Sequence, residues 1–171
     1  DALPISGLLR RRMGECGLSD CPMVALELFD TYVRPVMAYG AEVWAPQLVL
    51  QALKGGRGGA DACERVHLDF LRRLLGVRDT TSSLLVLSET GRLPLAVQWA
   101  RQVARFARKL LAADETRLAK KALLDSLELA DSGTAAERGR QCWAAETREI
   151  LSLLGGPKLC PDLLSDSIDD E

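Results

Sequence analysis

His67 is the only histidine in the chain, so any triad or dyad that activates a nucleophile through an imidazole must use it. Its position argues against that chemistry. His67 shares a helical face with Phe70 and Leu74, where an imidazole packs as a core or helix-contact residue. Cys16-x4-Cys21 and Cys63-x3-His67 could together supply four zinc ligands. The two pairs are far apart in the chain, however, and Cys63 and His67 interleave with an apolar stripe. A buried free cysteine behaving as a small hydrophobe is the simpler reading of Cys63. Carboxylates are scattered, and no pair sits on an apolar strand where it could hold two magnesium ions. Asp169-Asp170 lies in a loose acidic end that cannot fix metal geometry. KGGRGGAD, residues 54–61, lacks the spacing and the Lys-Ser/Thr ending of a phosphate-binding loop and reads as a linker. No catalytic constellation is left, and the chain is assigned no cofactor of its own.

Basic residues are better placed. Arg72, Arg73 and Arg78 cluster at the end of one helix, where cations also suit the negative end of the helix dipole. Arg101, Arg105 and Arg108 recur about once per helical turn, with Lys109 beside them, in a row that can follow a phosphate backbone. Arg117, Lys120 and Lys121 extend the basic stretch, and Arg10-Arg11-Arg12 can join it. Such a surface positions nucleic acid without reading its sequence, and the few aromatics do not indicate base stacking. The net charge of −2 hides this asymmetry. Residues 65–121 hold 12 Lys/Arg against 5 Asp/Glu, or +7, whereas residues 122–171 hold 4 against 11, or −7. From charge alone, solvated helix faces explain the same pattern equally well.

The elements that must carry these residues are helices. Pro22 suits a first helical position, and a helical stretch runs from there to about Trp44. Phe29, Tyr32, Val33, Val36, Met37, Gly40, Val43 and Trp44 fall on one stripe, interrupted by Pro35, so two segments held in line by packing are expected. A second helix spans Ala62 to about Leu75 and ends at Gly76, and a third spans Ser82 to Thr90 and ends at Gly91. The most regular helix runs from Pro94 to about Ala113. Ala96, Trp99, Val103, Phe106, Ala107 and Leu110 lie on its apolar side, opposite the arginines. A further helix, Glu115 to Ala130, has Leu118, Leu123, Leu124 and Leu127 as expected buried positions. Thr134 and Glu137 fit a capping box for a last helix reaching Leu154. No strand and no internal repeat is visible. The expectation is an all-α, irregular bundle of about six helices, followed by a disordered acidic tail over residues 157–171.

At 171 residues the chain suffices for one domain or two small ones, and with 5% aromatics its core must be built from Leu, Val and Ala. No run of about 18 apolar residues exists, so no membrane partner is expected. Five cysteines is an odd number, and no export signal stands at the start, so reduced thiols in an intracellular protein are the default. The chain opens with Asp1 rather than Met, as a processed or partial chain would. DALPIS resembles a translated adapter end, so residues 1–20 are read as a ragged segment outside the fold.

One ordered series of short pieces goes further. Leu28-Phe29-Asp30, Pro35, Tyr39-Gly40, Glu42 and Trp44 come first; Arg65-Val66-His67, Phe70, Arg72 and Gly76-Val77 follow, then Glu89 through Leu95. The series resembles the segment that follows the polymerase core in non-LTR (LINE-type) retrotransposon reverse transcriptases, and it covers about half the chain. The resemblance implies a helical thumb and connector, residues 21–112, in an RNA-directed DNA polymerase of nuclear location. Phe29, Tyr32, Val36, Tyr39 and Trp44 would pack on the palm of the same polypeptide. Arg72, Arg73, Arg101, Arg105, Arg108 and Lys109 would touch the backbone of an RNA/DNA duplex. The intact polymerase would use magnesium. Nothing in residues 1–27 corresponds to the family's Tyr-x-Asp-Asp loop, so no catalytic residue is carried over, and residues 113–171 match neither its zinc motifs nor its nuclease domain. Two alternatives remain open: a stand-alone helical interaction module whose basic face meets an acidic partner, and a decayed remnant without function.

Overall fold

The computed structural model describes residues 2–17, 21–55, 61–131 and 142–155. Among them the regular structure is helical throughout, with no strand, and the chain is all-α as its periodicity predicts. No described helix is long and apolar enough to cross a membrane. The Thr134–Glu137 capping box, Cys160 and the acidic end lie outside the described residues. The chain divides into two units, each built from two separated stretches: Asp1–Gly40 with Gly58–Gln98, and Ala41–Arg57 with Trp99–Glu171.

In the first unit, α1 (Ala2–Glu15) packs on a π-helical turn (Phe29–Val33) and on α6 (Ala62–Leu74), burying Met13. This helix lies in the segment set aside as ragged. α2 (Pro22–Leu28) opens with Pro22 in its first turn and runs directly into the π turn. Pro35 accounts for that turn. Its nitrogen carries no hydrogen for the Thr31 carbonyl, and its ring crowds the same turn. One extra residue in the turn relieves the crowding, and the Arg34 N–H donates to the Phe29 carbonyl instead. α3 (Arg34–Ala38) continues to Tyr39, which is extended, and Gly40, whose φ of 65° ends the segment.

The apolar stripe therefore divides. Ala25, Phe29, Val33 and Met37, four apart, are buried, whereas Tyr32, Val36 and Tyr39 are exposed. Positions four apart drift by about 40° per step on a straight α-helix. The wider π turn takes up that drift, so a period of four stays on one face and the intervening residues leave it.

α6 starts at Asp61, whose carboxylate accepts from the Cys63 N–H at 3.0 Å, a cap worth about 1 kcal/mol. It closes through Gly76 in the left-handed region, with the Gly76 N–H on the Arg73 carbonyl and the Val77 N–H on the Arg72 carbonyl. α7 (Ser83–Thr90) closes the same way at Gly91. Phe29 stacks on Phe70 with centroids 4.3 Å apart and on His67 at 5.7 Å. Asp30 pairs with both Arg34 and Arg92. Glu64 accepts the Leu95 N–H at 2.7 Å, occupying an orphan donor at the start of α8 (Leu95–Leu111).

In the second unit, α4 (Ala41–Trp44) leads into α5 (Pro46–Leu53), which packs on α10 (Trp143–Gly155), as does α9 (Leu118–Asp131). Ala107 and Leu110 of α8 meet Leu123 of α9 and Leu151 of α10 in one core. Trp143 stands edge-on to Phe106, and its indole N–H donates to the Glu42 carbonyl at 2.8 Å. Of the leucines expected to be buried on α9, Leu123 is, Leu127 is partly so, and Leu118 and Leu124 are exposed. α9 begins at Leu118, in the turn where a helix has least of its surface covered, and Leu124 directly follows Leu123 and so faces away from the core.

Candidate nucleic-acid interface

α8 is cleanly two-faced. Trp99, Val103, Ala107 and Leu110 are buried; Arg101, Arg105, Arg108 and Lys109 are exposed on the other side. Successive arginines rise by about 6 and 4.5 Å along the axis. None of these four cations has an ion-pair partner among the described residues. Like charges three and four apart on a helix cost about 0.3 kcal/mol per pair. The row is thus slightly unfavourable to the folded chain as it stands, and an external anion would reverse the sign.

The arginines of α6 are employed differently. The Arg72 guanidinium donates to the Thr81 carbonyl at 3.1 and 3.2 Å and to the Ser83 hydroxyl at 3.1 Å. Expected as a phosphate contact, Arg72 instead holds the approach to α7 against the end of α6. Arg73 is exposed but paired with Asp69 at 2.9 Å. Arg11 and Arg12 both pair with Glu15. Lys120 donates its ammonium to the Leu111 carbonyl at 2.6 Å, capping the C-terminus of α8.

Among the residues expected to pack on a palm, Phe29 is a correction. It is 2% exposed and fully engaged by His67 and Phe70, because the π turn aims it into its own unit. Tyr32, Val36 and Tyr39 are exposed, Tyr39 at 85%. Trp44 belongs to the second unit and meets Trp99 edge-on at 5.2 Å.

The groups with catalytic chemistry are housed structurally. His67 is buried, with Nδ1 3.6 Å from the Glu64 carboxylate. Burial, then the neighbouring Asp61 carboxylate, pushes the Cys63 thiol above its ordinary pKa, which holds it as the unreactive neutral form. Among the described residues no group of three or more His, Cys, Asp or Glu stands where it could hold a metal ion.

An apolar groove of about 320 Å³ went unseen in the sequence, lined by Ile5, Leu8, Leu9, Met13, Leu28 and Tyr32. Its signal was present as helical spacing in residues 5–13, within the segment set aside. The chain matches no family model, no curated protein and no solved structure in the comparisons made.

Proposed function

We propose that the chain serves as the helical thumb and connector of a non-LTR retroelement reverse transcriptase, holding the backbone of a template–product duplex and carrying out no chemistry itself. The observation that carries this reading is the row on α8: four exposed cations at helical spacing with no counter-ion among the described residues. The pieces that bear the resemblance support it by their physical interdependence. Phe29 stacks on His67 and Phe70, and Asp30 pairs with Arg92, so separate motifs make one packing unit. Exposed Tyr32, Val36 and Tyr39 offer the apolar face by which that unit would seat on the palm. Magnesium and the synthesis of DNA belong to that palm; no residue of this chain is assigned to them. The duplex contacts are Arg101, Arg105, Arg108 and Lys109; Arg72 and Arg73, both engaged within the chain, are left out of them.

The test is binding to an RNA/DNA duplex across a salt series. With three to four phosphates neutralised, the log–log slope is about −3, and affinity falls on the order of 50-fold between 50 and 200 mM salt. Replacing Arg101, Arg105 and Arg108 together by alanine flattens the slope and lowers affinity at low salt by at least about tenfold. Binding that persists at high salt, or a triple variant that binds like the parent, defeats the assignment. If the parent binds an acidic polypeptide through the same arginines and no duplex, the interaction-module reading replaces it.

A further inference from the structure

The row on α8 raises a question that the duplex does not answer: what faces four unpaired cations when no nucleic acid is bound? We propose that residues 161–171 of the same chain dock on the row and compete with the duplex for it, an inference that rests on the duplex-binding reading of α8. This stretch carries Asp162, Asp166, Asp169, Asp170 and Glu171 and no Lys or Arg. The spacing of its aspartates is the specific point. Asp162, Asp166, Asp169 and Asp170 repeat, residue for residue, the intervals of Arg101, Arg105, Arg108 and Lys109. Carboxylate–guanidinium pairs are strong and directional, so carboxylates at matching intervals suit this row of cations better than diffuse counter-ions do.

Reach is sufficient. α10 ends at Gly155, in the same unit as the arginine row, and residues 156–171 follow it. Sixteen residues span up to about 50 Å, whereas a unit of this size has a radius of gyration of about 12 Å. The stretch can therefore meet α8 wherever on the unit it departs. Being tethered, it acts at an effective concentration in the millimolar range, which makes individually weak surface pairs competitive. Duplex phosphates still win at low salt because they add the release of condensed counterions. The acidic stretch thus sets a threshold that rejects weakly charged competitors.

The experiment is a cycle on the full chain, read by duplex affinity at 50 mM salt. One variant is D162N/D166N/D169N/D170N, one is R101A/R105A/R108A, and one combines them. Docking predicts that neutralising the aspartates raises affinity about tenfold when the arginines are present and not at all when they are absent. An equal gain in both backgrounds would reflect net charge alone and overturns the proposal. No gain in either background also overturns it, while leaving the duplex reading intact. Failure of every variant to bind duplex brings down the reading of α8 and the proposal with it.

Discussion

Glu146 on α10 is half-buried, and burial, then the neighbouring Glu149, pushes its pKa above the ordinary carboxylate value. The folded chain therefore holds this proton to higher pH than the unfolded chain does. Stability from this group is present below the unfolded pKa, about 4.3, and is lost as pH rises through the folded value. Glu146→Gln should raise the urea midpoint at pH 7, with the advantage over the parent vanishing by about pH 4; a pH-independent difference would contradict the assignment. Phe29 offers a test of a different kind. Phe29→Ala removes a buried ring from contact with His67 and Phe70 and should cost about 3–5 kcal/mol in denaturant unfolding. Tyr32→Ala, three residues away and exposed, should change stability by less than about 1 kcal/mol. Single residues were legible when one force dominated their environment. The apolar side of α8 and the buried His67 followed from periodicity. Arg72 did not, because its partners, Thr81 and Ser83, are reached through a turn whose path is fixed by Gly76.

Helix stops were more legible than helix interiors. Gly76 and Gly91 were expected to end α6 and α7, and both adopt the left-handed conformation that L side chains avoid. A Cβ at Gly76 would meet nothing within 4 Å, so Gly76→Ala isolates the conformational cost, about 1 kcal/mol by thermal or denaturant unfolding. A neutral result would mean that the Schellman closure is dispensable. The π turn was not legible. Pro35 announced a disturbance, but helical spacing alone cannot distinguish a kink from a widened turn, and the two bury different faces. Two segments held in line put Tyr32 and Val36 on one stripe with Phe29; the π turn separates them. α1 was not legible for another reason: it begins inside the adapter-like DALPIS opening, which speaks against a native helix there. For α9 the stripe counted Leu118 and Leu124, which the helix start and the rotation of the face leave exposed.

Across the whole chain, the all-α class was legible because helical patterning recurs in nearly every stretch, and the opposed charges of the middle and the end were visible by counting. The two interleaved units were not, since which helices pair is decided by shapes of faces rather than by pattern. That interleaving has a consequence for how the protein comes to exist. α5 leaves the ribosome well before α10, yet it packs on α10, and the Trp143 indole that reaches Glu42 lies 101 residues further along the chain. Until that late helix emerges, Val49 and Leu50 have no α10 to cover them. Most helical proteins bury their surfaces locally and quickly. Here a growing chain must carry an uncovered apolar helix through several seconds of synthesis, at about 5–20 residues per second. Chaperone demand should therefore concentrate between the emergence of α5 and that of α10.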